Sequence, residues 1–310
     1  MKILLLAALG LLVLIVFLAL ESKTSRPDGT LITVHPYRRI MWFLMPTRNE
    51  SVVYWDFHVR TEKLQAYLEV AKERFGAKQT HALVGAVAIA LDGHLDMNRF
   101  TVGKRLYQRS GRWVSFSMKR ERMNKESKLA VVKQNITEDM TFRDLCEAVN
   151  GKIGHQRSGK RTYTDKEISL FNLLPRPIFS IAFRLAKLAD HYNLLPGAFI
   201  DGDPMYASLF ISNLGSMGMD PGYHHLFEWG NCPIFLMVGK VNEVPILEDG
   251  KTVWTKQMSI RVSYDERVND GLSAFRGVET IKRVLEDPFR LLGCVEEDGS
   301  DTFPLVEQKL

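Results

Sequence analysis

Near the end of this 310-residue chain, Ser263-Tyr264-Asp265-Glu266-Arg267-Val268-Asn269-Asp270-Gly271 packs three acids and a base into nine residues. A carboxylate held next to a cleft can move protons, so the run is either an ordinary polar turn or a reactive site. Asp270, just ahead of a glycine and an apolar-periodic stretch, is placed to cap a helix N-terminus and to hold the turn in shape. Ser212, in ASLFISNLG (207–215), offers a hydroxyl on a strand-like segment. His224 and His225, with Cys232 seven residues on, invite a metal reading. No third and fourth ligands follow at a usual spacing, so no metal is expected. The three cysteines, Cys146, Cys232 and Cys294, are sparse and odd in number, which fits buried small hydrophobes rather than a disulfide framework.

The elements around these residues follow from periodicity. QMSIRVSYD (257–265) alternates like a strand and LSAFRGVETIKRVLEDP (272–288) has helical spacing ended by Pro288. SVVYWDFHV (51–59) has the aromatic and β-branched content of a strand. EKLQAYLEVAKERF (62–75) reads as a helix with Thr61 as N-cap and Gly76 as stop. HALVGAVAIAL (81–91) is apolar on nearly all sides and predicts a buried helix. TFRDLCEAVNGKI (141–153) predicts a helix capped by Thr141, and Asp249-Gly250 a hairpin turn. RLYQR, RWVSFSMKRER and KLAVVKQNI read as further strands. LFNLLPRPIFSIAFRLAKLADHYNLLP (170–196) predicts a helical hairpin packed on the domain, with an interfacial membrane helix as the alternative. Mixed strands with helices on one side predict an α+β sandwich.

Composition bounds the rest. The chain is 45% apolar and 25% charged, which is globular, and its net charge of +5 suits an anionic ligand or membrane surface. No aromatic-interleaved basic stripe accompanies that charge, so no nucleic-acid partner is expected. Ile3 to Leu20 are 18 residues without a charge, the length of a membrane-crossing helix. A cleaved signal peptide is the rival, with an apolar region longer than usual. Lys23, Arg26, Arg38 and Arg39 follow the span, which favours a cytoplasmic globular domain. The expected layout is an anchor at 1–22, a linker at 23–37, a catalytic domain at 38–290 with an insertion at 161–206, and a tail at 291–310.

The strand, the turn DERVNDG and the helix ending LEDP together resemble the C-terminal signature of the acyltransferase catalytic domain of 2-oxo acid dehydrogenase complexes, whose pattern is Asp-His-Arg-x-x-Asp-Gly. FISNLGSMG (210–218), NCPIFLMVGKV (231–241) and HALVGAVAIAL followed by MNRF resemble further segments of that family in the same order. The resemblance implies a chloramphenicol-acetyltransferase-like two-layer α+β sandwich with a mixed sheet, assembled as a homotrimer with active sites between subunits. It also implies a function: transfer of an acyl group from an acyl thioester, with coenzyme A or acyl-CoA as substrate and no bound cofactor. Carried over by position, Glu266 matches the base, Asp270 the orienting acid and Ser212 the hydroxyl that stabilises the oxyanion. His224 or His225 is a weaker candidate for a substitute base.

One departure is chemical. The family's base is His, and this chain has Glu266 there. Reference pKa values are about 8.5 for a thiol, 6.5 for imidazole and 4.3 for a carboxylate. Complete proton transfer from a thiol to an ordinary carboxylate is therefore about 3 kcal/mol harder than to imidazole, a penalty of order 100-fold in rate. Burial away from cations makes a carboxylate a stronger base and reduces that deficit. The rival expectation is a degenerate site in a trimeric membrane-bound scaffold, or a module that binds coenzyme A without turnover. No lipoyl domain or subunit-binding domain is expected in this chain.

Overall fold

The computed structural model describes residues 1–119, 129–158 and 175–306. Helix α1 (Lys2–Ser22) carries no charge from Ile3 to Leu20 and buries none of its residues against the rest of the chain. It is long and apolar enough to cross a membrane.

The body is built on a six-stranded mixed sheet. Its strands are β2 (Val52–Arg60), β5 (Arg112–Lys119), β6 (Leu129–Ile136), β7 (Leu209–Asn213), β8 (Ile234–Glu248) and β9 (Lys251–Asp265), in the order β2-β9-β8-β7-β5-β6. β7 runs parallel to β5 and β8, and the other pairs are antiparallel. Residues 249 and 250 both take positive φ, which lets Glu248 pair with Lys251 across a two-residue turn.

Helices α3 (Glu62–Phe75), α4 (Gln79–Gly93), α5 (Phe142–Arg157) and α8 (Gly271–Glu286) cover one face of this sheet. Alternate strand residues, such as Phe57, Val59, Ile211, Leu236, Ile260, Val262 and Tyr264, meet these helices in the main core. Every residue of α4 from His81 to Leu91 is buried, as its all-round apolar sequence predicts. The opposite face carries a smaller cluster around Phe210, Leu226, Phe235 and Met237, with no helix over it in that cluster. The expected α+β two-layer sandwich with a mixed sheet and an N-terminal apolar helix is thus present.

Three segments differ from expectation. Residues 23–37, expected as a linker, are docked. β1 (Gly29–Leu31) joins β4 (Arg105–Arg109) and β3 (Arg99–Val102) in a second sheet, ordered β1-β4-β3. Arg26 and Asp28 are buried and paired at 2.6 Å, with Arg109 3.6 Å from the same carboxylate. Opposite charges buried together satisfy one another, which a reading of local polarity misses. Residues 291–306, most of the expected tail, bury Leu291, Leu292, Cys294, Val295, Leu305 and Val306. Thr61 precedes α3, but its hydroxyl donates to the Lys256 carbonyl at 3.1 Å instead of capping the helix. Thr141 does cap α5, in a reciprocal pair with Asp144.

In chain order α2 (Pro36–Leu44) lies between β1 and β2, α6 (Arg176–His191) and α7 (Gly197–Gly202) lie between β6 and β7, and α9 (Pro288–Leu291) follows α8. α6 is the described part of the expected hairpin and insertion; 159–174 lie outside the described residues.

Candidate active site

The turn after β9 divides its charged side chains among separate tasks. Asp265 is 1% exposed. It accepts from Ser51 Oγ at 2.9 Å, from the Arg267 backbone at 3.1 Å and from the Arg267 guanidinium at 2.9 and 2.8 Å. A third side chain, Thr101, donates to it at 3.4 Å. Arg267 uses its remaining nitrogen on the Met45 and Pro46 carbonyls. Asn269 donates to Asp96. Asp270 accepts from the Ser273 backbone at 2.8 Å and caps α8. Hydrogen bonds from Ser273 hold the Asp270 carboxyl below its ordinary pKa. The cap and the orienting acid expected at this position are the same residue.

Glu266 is what remains. Its backbone N–H donates to the Ser51 carbonyl at 2.9 Å, which pins the turn to the start of β2. Its side chain has no hydrogen bond or ion pair with the described residues, and it is exposed in the single chain. The expected burial therefore has to come from outside the chain, because the fold closes only one side of it. That side is a pocket of about 440 Å³ lined by Val53, Trp55, Tyr264, Glu266, Asn269 and Phe275. Two donors in that wall, Trp55 Nε1 and the Tyr264 hydroxyl, are buried without a partner among the described residues. An unsatisfied buried donor is costly, so this wall is suited to a ligand with an acceptor oxygen and an apolar body. These residues were missed at the level of sequence, although the alternation Val53-Trp55-Phe57-Val59 in β2 marks the inward row.

Ser212 lies elsewhere. Its Oγ is 3.3 Å from Ser117 Oγ, and it shares the face opposite the main core with Phe210 and Met237. It pairs with Met237, which pairs with Arg261. Glu266 is five residues beyond Arg261, so the two functional candidates are about 17 Å apart along the strands and about 10 Å across them. One chain holds Glu266 and Asp270 in the same turn and leaves Ser212 on the other face. His224 is also on that face, its ring stacked 4.2 Å from Phe235 and 4.6 Å from His225, and its carbonyl accepts from the Ser263 hydroxyl.

Comparison with known proteins identifies the fold. Residues 201–293 match the profile of the 2-oxoacid dehydrogenases acyltransferase (catalytic domain). The structure superposes on a probable dihydrolipoamide acetyltransferase from Listeria monocytogenes 4b F2365 with a TM-score of 0.55, at 15% identity, over 83% of this chain and 94% of the other. The fold is that of the 2-oxoacid dehydrogenase acyltransferase catalytic core.

A truncated catalytic core of the 2-oxoacid dehydrogenase multienzyme complex from Thermoplasma acidophilum shares this acyltransferase fold, with a TM-score of 0.52 and 17% identity over 84% and 99% of the two chains. In sequence, the chain is 28% identical over 120 residues to the dihydrolipoyllysine-residue acetyltransferase component of the pyruvate dehydrogenase complex of Bacillus subtilis (strain 168). That alignment covers 38% of this chain and 26% of the relative. The matched profile spans β7, β8, β9 and α8, the elements that carry Ser212, Glu266 and Asp270.

Proposed function

We propose that this protein is a membrane-anchored acyltransferase that moves an acyl group from an acyl thioester, acyl-CoA, to a nucleophilic acceptor. The observation that carries the reading is the state of Glu266. Every other charged side chain of its motif is occupied by structure, while Glu266 alone faces an apolar pocket. The acceptor's O–H, N–H or S–H attacks the thioester carbonyl as Glu266 takes its proton. The tetrahedral oxyanion accepts a hydrogen bond from Ser212 of a neighbouring protomer. Collapse breaks the carbon–sulfur bond, and the proton held on Glu266 passes to the departing thiolate. Asp270 fixes the turn that presents the base.

A homotrimer is part of the proposal, because Ser212 and Glu266 lie on opposite faces of one sheet and only a second copy can join them. The relatives of this fold include the cubic core of a pyruvate dehydrogenase multienzyme complex. Helix α1 is the anchor, and the basic residues after it put the domain on the cytoplasmic side. The second reading is a degenerate scaffold or acyl-binding protein, favoured by the Glu-for-His replacement and the exposure of Glu266 in one chain.

Incubation of the full chain with acetyl-CoA and longer acyl-CoA thioesters, read as release of free thiol, separates the two. Turnover that is lost in Glu266→Gln supports the enzyme. Bound acyl-CoA without thiol release supports the binding module and ends the catalytic reading.

A further inference from the structure

The junction between α1 and the body carries a second surface. Four hydrogen bonds fix it. The Arg105 guanidinium donates to the Glu21 carbonyl and carboxylate, Asn193 Nδ2 to the Lys23 carbonyl at 2.8 Å, and Arg26 to Asp190 at 3.2 Å. The C-terminal end of α6 is thereby held against the residues where α1 ends. Gly103 reinforces this: with φ of +57°, a Cβ there would lie 2.4 Å from the His191 carbonyl oxygen.

α6 is two-faced. Phe183 stacks on Trp229 at 4.6 Å and ties the helix to the body. Ile178, Ile181, Leu185 and Leu188, spaced as one helical stripe, stay exposed, flanked by Arg184 and Lys187. α2 repeats the pattern with exposed Ile40, Phe43 and Leu44 beside Arg38 and Arg39. Such helices, apolar on one side and basic beside it, lie in the headgroup layer of a bilayer.

Between α1, α2 and the end of α6 is a cleft of about 550 Å³ lined by Glu21, Leu31, Arg39, Trp42, Lys104 and His191. Glu21, in the same lining, is paired with Arg105, while Arg39 and Lys104 form no ion pair among the described residues. Lys104 Nζ sits 4.1 Å over the Phe43 ring. Trp42 is 5% exposed, and its indole N–H, buried, has no acceptor among the described residues. Two uncompensated cations, an orphaned donor and apolar walls suit a phosphate ester with an acyl body.

We propose that this cleft seats the headgroup of an anionic phospholipid, with α2 and the outer face of α6 lying on the bilayer that α1 enters. The proposal rests on the anchoring reading, and its test separates the two. Full-length Leu185→Cys, labelled with an environment-sensitive dye, is reconstituted into vesicles that contain a shallow nitroxide lipid quencher, with or without about 30% phosphatidylglycerol. The three native cysteines are buried and stay unlabelled in the folded chain. Quenching at position 185 with phosphatidylglycerol, and its loss in the Arg39→Gln/Lys104→Gln background, is the expected result. A dye at Leu247→Cys, 77% exposed at the hairpin tip, should remain unquenched. Absence of quenching at 185, or quenching indifferent to phosphatidylglycerol, overturns the proposal. A dye at Leu12→Cys reports insertion of α1 by itself: quenched at 12 and silent at 185 means the anchor stands and the surface does not.

Discussion

Arg267 holds Asp265 in a two-pronged contact, Nε to Oδ1 at 2.9 Å and Nη2 to Oδ2 at 2.8 Å, and leaves the residue between them, Glu266, outside it. The arginine that follows the candidate base in sequence is therefore not its partner. The geometry separates structure from chemistry within three consecutive residues.

That separation is measurable in stability. Arg267→Met leaves a buried carboxylate with only its neutral donors and is expected to cost about 3 kcal/mol. Arg267→Lys should restore part of it, because a point charge cannot form the fork. Glu266→Gln should stay within about 0.5 kcal/mol of the parent. Urea unfolding midpoints read all three; an unchanged midpoint for Arg267→Met would refute the structural role of the pair.

Glu266→His tests the chemistry. Imidazole titrates near 6.5, so the acid limb of the pH–rate profile should move to about that value, and turnover should rise by up to ~100-fold. A histidine variant no faster than Glu266→Gln would show that position 266 does not take the proton.

Asp270→Ala removes a helix cap and should cost about 1 kcal/mol, with Asp270→Asn losing less. The folded carboxyl titrates below its ordinary value of 3.8 because of its bonds from Ser273. The cap's contribution is thus complete above that value and fades as pH falls through the lower folded one. Thiol release should drop more in the alanine variant than in the asparagine variant, since the same cap shapes the turn of Glu266. Equal activity in the two would remove Asp270 from the site.

Asp28 joins Arg26 and Arg109 inside the docked N-terminal segment. Burial pushes its carboxyl up, but the hydrogen bond and charge of Arg26, aided by the charge of Arg109, outweigh burial and hold it low. Asp28→Asn leaves two buried guanidinium groups and should cost about 3 kcal/mol. Because the folded value is depressed, the parent loses this stabilisation only as pH falls below 3.8. Melting temperatures recorded from neutral pH downward should fall more steeply for the parent than for Asp28→Asn in that acid window; parallel curves would contradict the assignment.

Local rules made much of this chain legible. The period of two in β2 and β9, the all-round apolar α4, the Thr141 and Asp270 caps and the Asp249-Gly250 turn each depend on residues within a few positions of one another. The fold follows from them, and so does the candidate turn. Other features depend on partners far along the chain. Arg26 and Asp28 read as a polar linker until Arg109, Asp190 and Asn193 arrive around them. Thr61 looks like a cap until the Lys256 carbonyl competes for its hydroxyl. The family resemblance placed Ser212 and Glu266 in one reaction; sheet register set them on opposite faces. A strand alternates its side chains with each residue, and only pairing with β8 and β9 decides which row looks toward the helices.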